Sequence, residues 1–120
     1  MNWTETPSMQ RLERFLDLVT FRHELVSSNL ANVDTPGYRT QDVDFEGEMR
    51  RAELRVGSAP ASPHVQEVKN LIERPDGNNV SLNREGLLLA ETQMQFGLGI
   101  QLLQHEFHNL LSAINEGGKG

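Results

Sequence analysis

His105-Glu106-Phe107-His108 comes closest in this sequence to a catalytic metal motif. A zinc-protease helix carries His-Glu-x-x-His, with two histidines four residues apart, so that both side chains reach one ion. Here the histidines are three apart, and no third ligand is apparent. Polar residues that flank a packed helix are therefore the favoured interpretation. A metal-dependent enzyme built on His105 and His108 is kept as a rival hypothesis, which a zinc-binding measurement would test.

Two other groups of residues invite a chemical interpretation and fail on spacing. Asp42, Asp44, Glu46 and Glu48 could ligate a hard cation, but they lack the glycine and the spacing of a calcium loop. We predict a solvated acidic segment there. Gly97-Leu98-Gly99 is a fragment of a dinucleotide fingerprint, and no strand precedes it. There is no cysteine for a thiolate site. The sequence therefore predicts neither a cofactor nor an enzyme.

Composition narrows the possible partners of these 120 residues. The net charge is −6, the isoelectric point is about 5.1, and no basic stripe is present, which argues against nucleic-acid binding. No apolar run approaches the roughly 20 residues that span a bilayer, so no direct membrane insertion is predicted. Residues 1–14 lack a basic start followed by an apolar stretch, so no cleaved signal peptide is visible.

The apolar residues are concentrated near the two ends of the chain. Ser8 is the predicted cap of a first helix that stops near Asn32. Its stripe is spaced alternately by four and three residues: Leu12, Leu16, Val19, His23, Val26 and Leu30. A second helix starts near Ser81 or Asn83 and ends at Gly117-Gly118. Its apolar positions follow a heptad: Leu89, Phe96, Ile100, Leu103, Phe107, Leu110 and Ile114. Such heptads predict helices that pair as a coiled coil.

The polar flank of the second helix is unusual, because residues 86–117 contain no Lys or Arg. A solvent-facing helix usually mixes charge signs, whereas uncharged amides are easier to bury against neighbours. Gly97 and Gly99 lower helix propensity, and we interpret them either as positions of close backbone approach or as weak points of the helix. One chain alone would struggle to close a core, so the apolar faces are predicted to need partners.

The segment between the long helices is polar and broken by Gly and Pro. Pro36-Gly37 predicts a type II turn with a positive φ at the glycine, and residues 75–77 predict another turn. Between them we predict an extended segment at Val43–Phe45, a helix over residues 45–55, a linker over 57–63, and one or two strands over 65–74. The predicted fold is mainly α in a single domain of residues 1–120: a helix over about 8–33, an irregular, β-containing middle over 34–82, and a helix over 83–116.

Two blocks of residues resemble a known family. Ser28-Asn29-Leu30-Ala31-Asn32-Val33-Asp34-Thr35-Pro36-Gly37-Tyr38 resembles the N-terminal signature of flagellar rod, hook and hook-junction proteins. Its continuation into Asp42-Val43-Asp44-Phe45, with Arg22 and Glu24 upstream, looks most like the proximal-rod members of the flagellar basal-body rod protein family. Asp76-Gly77-Asn78-Asn79-Val80, followed by Asn83-Arg84-Glu85, is a second match.

The resemblance implies a structural subunit rather than an enzyme. It would polymerise through its terminal helices in the periplasmic rod and transmit motor torque. The implied partners are copies of itself, the other rod proteins, the rod-to-ring adaptor with the MS ring, and the flagellar type III export apparatus, which needs no cleaved signal. The rival hypothesis is a cytoplasmic helical adaptor or export chaperone that pairs with partner helices. A discrete soluble dimer at high concentration would favour that rival.

Overall fold

The first helix, α1, spans Pro7–Ala31 in a computed structural model that describes residues 6–54 and 62–117. Its cap is Thr6, whose side-chain oxygen accepts a hydrogen bond from the Met9 amide at 3.2 Å. The predicted cap, Ser8, is therefore wrong, because Pro7 takes the first helical position, where it forfeits no helical hydrogen bond. The helix ends two residues before the predicted boundary, with Asn32 as its C-terminal cap.

The last helix, α3, spans Leu82–Gly117, within one residue of both predicted boundaries. Ser81 caps it, since the Ser81 hydroxyl accepts a hydrogen bond from the Arg84 amide at 3.2 Å. The Ser81 carbonyl accepts another from the Glu85 amide, which begins the helical pattern. Gly118, the second residue of the predicted helix end, lies outside the described ranges.

The two long helices pack antiparallel along α1. His23 Nδ1 lies 3.0 Å from the Thr92 hydroxyl, and Leu16 lies against Gly99. Residues closer to the end of α1 therefore contact residues closer to the start of α3. The same register brings the beginning of α1 level with the region around His108, so the last turns of α3 extend past it. The buried apolar residues form a thin core between the helices and the middle segment: Met9, Leu18, Val19, Val26, Val43, Val80 and Leu88.

Between the helices lie a two-stranded sheet and a short helix. Strand β1, Gln41–Val43, pairs antiparallel with β2, Val65–Glu67, so that Asp42 faces Gln66 across the ladder. Helix α2 spans Phe45–Leu54, as predicted apart from Arg55, which lies outside the described residues together with residues 57–61 of the predicted linker. Phe45 starts α2 rather than continuing the extended segment, and its ring meets Phe15 edge-on at 5.8 Å.

The fold class is mainly α, as predicted, with long terminal helices and a small sheet in the middle. The molecule is elongated, measuring 71 × 26 × 18 Å. Among the described residues, no helix combines the length and the apolar character that crossing a membrane requires.

Candidate functional site

The polar cluster described here lies where α1 ends, β1 begins and α3 begins. It joins the two blocks of sequence that carry the family resemblance, residues 28–38 and 76–85. Its members come from residues far apart in the chain: Arg22, Asn29, Tyr38, Asp42, Asn78, Asn79, Arg84 and Glu85.

Asn29 locks the end of α1 to the strand that follows. Its side chain is buried, and its Oδ1 accepts hydrogen bonds from the Tyr38 hydroxyl at 3.0 Å and the Gln41 amide at 3.1 Å. Its Nδ2 donates to the Gln41 carbonyl at 2.9 Å. One amide side chain thereby replaces the hydrogen bonds that the backbone of Gln41 would otherwise need from another strand. This geometry explains why an asparagine and an aromatic hydroxyl occur together in the first motif.

Asn78 performs the matching task from the second motif. Its Nδ2 lies 2.9 to 3.0 Å from the carbonyl oxygens of Asn32, Val33 and Thr35, while its Oδ1 accepts from the Val80 amide at 2.8 Å. These carbonyls belong to the cap and the turn that follow α1, and those of Asn32 and Thr35 also accept backbone hydrogen bonds within that turn. Asn78 reaches them from more than forty residues away, which fixes the exit of α1 relative to the entry of α3.

Two tight turns touch beside Asn78. Gly37 has a φ of +76°, and the Tyr38 amide donates to the Thr35 carbonyl at 3.2 Å, which confirms the predicted turn and its left-handed glycine. Gly77 has a φ of +87° in the second predicted turn. The Gly37 amide donates to the Asp76 carbonyl at 2.9 Å, so the two turns are hydrogen-bonded to each other.

Asp42 is the ionic centre of the polar cluster. Its Oδ1 and Oδ2 accept from Nε and Nη2 of Arg22, both at 3.0 Å, and Oδ2 also accepts from Arg84 Nη2 at 2.6 Å. Arg84 Nη1 in turn donates to the buried Glu85 at 2.7 Å. Because the two arginines come from α1 and α3, one carboxylate on β1 connects both long helices.

The electrostatics of Asp42 are those of a buried but well-compensated carboxylate. Burial alone would raise the pKa of Asp42, and this is the largest single influence on it. Hydrogen bonds from Arg22, from the Val43 amide at 2.7 Å and from Arg84, together with the charge of Arg22, outweigh burial and lower the pKa below its ordinary value. The carboxylate therefore stays ionised as a structural group.

The predicted solvated acidic segment is wrong at two of its four positions. Asp42 is buried, and the Glu48 side chain accepts from Arg51 at 2.9 Å and from the His64 amide at 3.0 Å. Asp44 and Glu46 are exposed, as predicted. Counting like charges along the chain missed the arginine partners, because these come from other elements. The available signal was Arg22 and Arg84, which both belong to the blocks that carry the family resemblance.

The predicted packing residues of α1 all point away from open solvent. Val19 and Val26 are buried, while Leu12, Leu16 and Leu30 are half-buried. His23 lies within this face and hydrogen-bonds Thr92 across the helix pair. Of the remaining motif residues, Asn32 and Tyr38 are half-buried, and the others are exposed: Ala31, Asp34, Thr35, Pro36 and Gly37.

The face of α3 that meets α1 is shifted from the predicted stripe. Its buried positions are Glu85, Leu88, Thr92 and Gly99, whereas the predicted positions Leu89, Ile100, Leu103 and Leu110 are half-buried beside them. Phe96, Phe107 and Ile114 remain 44%, 46% and 41% exposed. The chain's own first helix therefore leaves Phe107 about half exposed, and its burial in a helix-packing contact with a neighbouring subunit stays a prediction.

The reason for the shift is the close approach of the helices at Gly99. A Cβ added there would lie 2.6 Å from Leu16 Cδ2 and 3.2 Å from Phe15 Cδ1, so only glycine fits without a rearrangement. Small residues at the centre of the contact displace the large ones to its edge. Gly99 thus has the close-approach role considered for it, whereas a Cβ on Gly97 would meet nothing within 4 Å.

Neither of the histidines considered as metal ligands belongs to a site in the described part of the chain. His105 and His108 are both exposed. No group of three or more His, Cys, Asp or Glu side chains suited to a metal ion occurs among the described residues. The geometry therefore offers hydrogen bonding and packing, and its two notable features are the polar cluster and the uncovered apolar faces of α3.

Comparison with known proteins finds similar sequences in one family. A sequence profile described as "Flagella basal body rod protein" matches residues 22–39, which run from Arg22 of the polar cluster through the Asn29–Tyr38 lock. "Flagellar basal body rod protein FlgB" of Salmonella typhimurium is 26% identical and covers 85% of this chain and 88% of its own length. The protein of the same name is 29% identical in Borrelia hermsii and 28% in Escherichia coli K12, with 86% and 85% of this chain covered.

Over most of its length this chain is similar to flagellar basal-body rod proteins. The family is one of structural proteins rather than enzymes, and its members are components of the basal-body rod. The similarity is therefore to structural components of the rod rather than to enzymes. The stretch that the profile matches ends α1 and contributes Arg22, Asn29 and Tyr38 to the polar cluster.

Proposed function

We propose that this chain is a subunit of the proximal rod, a single domain of residues 1–120 that polymerises through its terminal helices and carries motor torque. The observation that carries the proposal is the contrast along α3. Its beginning is fastened to α1 and β1 by the polar cluster, whereas its later turns leave large apolar side chains uncovered. Such surface on a soluble chain is typical of an interaction site.

The uncovered side chains of α3 occupy two faces. Phe96, Phe107 and Ile114 lie on one flank of the α1 contact. Phe107 and Ile114 follow Phe96 by eleven and eighteen residues, which are whole numbers of helical turns to within about 20°. Leu87, Met94 and Leu98 lie on the side away from α1. A helix that is apolar on all sides is normally surrounded by protein. Since residues 86–117 add no Lys or Arg, little charge would have to be desolvated when neighbouring helices cover these faces.

The polar cluster suits a subunit that bears load. Torque passed along a polymer tends to shear one helix of a subunit past the other. The Asp42 carboxylate and the Asn29 and Asn78 amides resist this movement through directional hydrogen bonds, which are lost on a displacement of about an ångström. The helix pair would then transmit force as one rigid element, while apolar contacts on α3 hold successive subunits together.

The similarity to rod proteins supports a proposal for the partners and the location of the chain. We propose contacts with other copies, with the other rod proteins and with the rod-to-ring adaptor and MS ring, in the periplasmic part of the basal body. Export by the flagellar type III apparatus, without a cleaved signal, is proposed with them. No catalytic step and no cofactor is part of this proposal.

Phe107→Asp tests the polymerisation surface. Phe107 is about half exposed in the chain, so the isolated variant should keep the helical circular dichroism of the parent. In an assembled seam the change removes an aromatic contact, commonly worth about 3–5 kcal/mol, and adds the cost of burying a carboxylate. We expect a protein that is made and exported but leaves cells without completed rods or hooks, as electron microscopy of basal bodies would show.

Gln104→Glu is the matched control, because Gln104 is exposed and the change adds the same charge off the apolar flank. Cells carrying it should swim. Normal swimming with Phe107→Asp would contradict the polymer proposal. Purification of the unaltered chain as a discrete soluble dimer at high concentration would favour the helical adaptor or export chaperone instead.

A further inference from the structure

An exposed isoleucine stands on a braced loop near the polar cluster. Ile72 is 91% exposed, although the loop around it is held at several points. The Arg39 guanidinium donates to Glu67 at 2.7 Å and to the Gly77 carbonyl at 3.0 Å, and it pairs with Glu73 at 3.3 Å. An apolar side chain on a firmly held loop loses little conformational freedom on binding, which is the property of an anchor residue at an interface.

An apolar groove that could accept a side chain such as that of Ile72 lies elsewhere on the same chain. It has a volume of about 350 Å³ and is bounded by α1 and α3. Val19 forms its buried apolar base, the His23–Thr92 hydrogen bond crosses it, and the half-exposed Phe96 forms one wall. The groove is mainly apolar and has room for a branched aliphatic side chain.

The charges near the loop and the groove are complementary. Lys69, three residues before Ile72, is exposed and forms no ion pair with any residue in the described part of the chain. Thr20, which lines the groove, is followed four residues later by Glu24 and preceded seven residues earlier by Glu13, on the same face of α1. Both glutamates are exposed. The groove therefore has an acidic edge, and the loop presents an unpaired cation.

The groove is also continuous with the proposed polymer surface. Phe96, which forms its wall, lies on the same flank of α3 as Phe107 and Ile114. An anchor and a groove on different surfaces of one chain produce a heterologous contact, which repeats without closing and so builds an open assembly. A single isoleucine could not hold two copies together, but it could set their register where helices already meet.

We propose that the Ile72 loop of one copy docks into the Val19–Phe96 groove of the next copy. Ile72 fills the groove, and Lys69 faces Glu24 at its edge. This inference rests on the proposed polymerisation, since it names the partner of the α3 flank as a second copy of this chain and identifies the element of that copy that enters it.

Disulfide trapping tests the contact directly, because the chain has no cysteine of its own. Purified Ile72→Cys protein is mixed with purified Gln93→Cys protein at high concentration under mild oxidation. Gln93 lines the groove, and a disulfide needs Cα atoms within about 7 Å of each other. Each protein carries one cysteine, so any mixed disulfide is intermolecular. We expect the mixed dimer to dominate over both homodimers.

Leu54→Cys replaces Ile72→Cys in the control mixture, because Leu54 is also apolar and 88% exposed but lies at the end of α2. We expect at least about tenfold less mixed dimer from the control, the ratio for a contact stabilised by about 1.4 kcal/mol. Equal yields from both mixtures would overturn the proposal. So would a predominance of Ile72→Cys homodimers, since the loop would then meet itself rather than the groove.

A charge exchange tests the pairing of Lys69 with Glu24. Starting from the two cysteine proteins, Lys69→Glu on the loop side or Glu24→Lys on the groove side should each lower the yield of mixed dimer by roughly two- to fivefold. Both changes together should restore it. Failure of restoration would overturn the Lys69–Glu24 assignment. In cells, normal rods with Ile72→Asp but not with Phe107→Asp would refute this docking while leaving the proposed polymerisation intact.

Discussion

The two ends of the helix pair are built from opposite kinds of interaction. Where α1 ends and α3 begins, buried side chains are largely polar. The amides of Asn29, Asn78 and Asn79 and two carboxylates all have hydrogen-bond partners within the chain. Towards the end of α3, large apolar side chains lie exposed, and the helix extends past the start of α1. The first end finds most of its hydrogen-bond partners within one chain, whereas the second presents surface for another.

This difference follows from what each interaction demands. A buried hydrogen bond needs its partner at a fixed distance and angle, so it is best made within one chain, where the fold sets the geometry. Apolar contact is non-directional, so a neighbouring subunit can provide it as well as the same chain can. A subunit that must be stiff in itself and also adhere to others can use the first kind at one end and the second kind at the other.

Asn78→Ala should produce the largest change at the polar end. The variant loses the amide that serves three carbonyls and the oxygen that accepts from Val80. The carbonyls keep their other donors, but the Val80 amide loses its acceptor. Leaving a buried polar group unsatisfied costs about 1–3 kcal/mol, and the hydrogen bonds to the carbonyls are lost as well, so we expect a loss of about 3 kcal/mol in the free energy of unfolding. Urea denaturation would measure it.

Asn83→Ala is the control for that measurement, since Asn83 is exposed in the first turn of α3. We expect it to change the unfolding free energy by only a few tenths, roughly ±0.5 kcal/mol. Similar losses from both substitutions would contradict the contrast between an end stabilised by buried hydrogen bonds and an end that exposes apolar surface.

Gly37→Val tests the turn through backbone geometry alone. The φ of Gly37 is +76°, and a Cβ there would meet nothing within 4 Å, so the cost arises from the left-handed conformation rather than from a clash. That conformation costs roughly 1–2 kcal/mol for ordinary residues, more for a β-branched one, and less for asparagine. We expect Gly37→Val to be less stable than Gly37→Asn by about this amount in urea, and motility to fall with it. Equal stabilities would refute the geometric account.

Much of the fold could be predicted because its signals are local. The turn at Gly37 depends on two neighbouring residues, and helices reveal themselves by periodicity within a few turns. The polar cluster could not be predicted in this way. The partners of Asp42 lie 20 residues before it and 42 after it, and nothing near Asp42 in the sequence distinguishes a paired carboxylate from the solvated ones beside it.

The face that α3 turns towards α1 could not be predicted for a different reason. Heptad counting assigns the seam to the largest apolar residues, which here are Phe96 and Phe107. The two helices approach so closely that Thr92 and Gly99 occupy the centre of the contact, and size excludes the phenylalanines from it. The glycine at position 99 was the available signal, but Gly97 two residues away looks the same in sequence and has no such role.

Those two glycines give a smaller test of the helix contact. Gly97→Ala gains helix propensity of about 1 kcal/mol and meets no other atom, so it should stabilise the isolated chain. Gly99→Ala gains the same propensity but must displace Leu16 and Phe15 from distances of 2.6 and 3.2 Å. We expect Gly97→Ala to be the more stable variant by about 1 kcal/mol in thermal or urea unfolding. The reverse order would mean that the helices do not meet at Gly99.

Acidification should have the smallest effect, and its sign follows from Asp42. The pKa of Asp42 is lower in the folded chain than its ordinary value of 3.8, so the unfolded chain binds more protons in the intervening range. The stabilisation from Asp42 is therefore present above that ordinary value and is lost as the pH falls through the folded-state pKa.

At pH 4 the loss of unfolding free energy that is attributable to Asp42 is on the order of a few tenths of a kcal/mol, and this loss grows at lower pH. Asp42→Asn keeps the shape of the side chain but cannot titrate. The unfolding free energy of the parent should thus fall more between pH 7 and pH 3 than that of the variant, since the other carboxylates titrate in both. Urea denaturation across this range gives both slopes. If the two slopes coincide, Asp42 is not the ionised centre that joins α1 to α3, and the polar end would owe its stability to the asparagines alone.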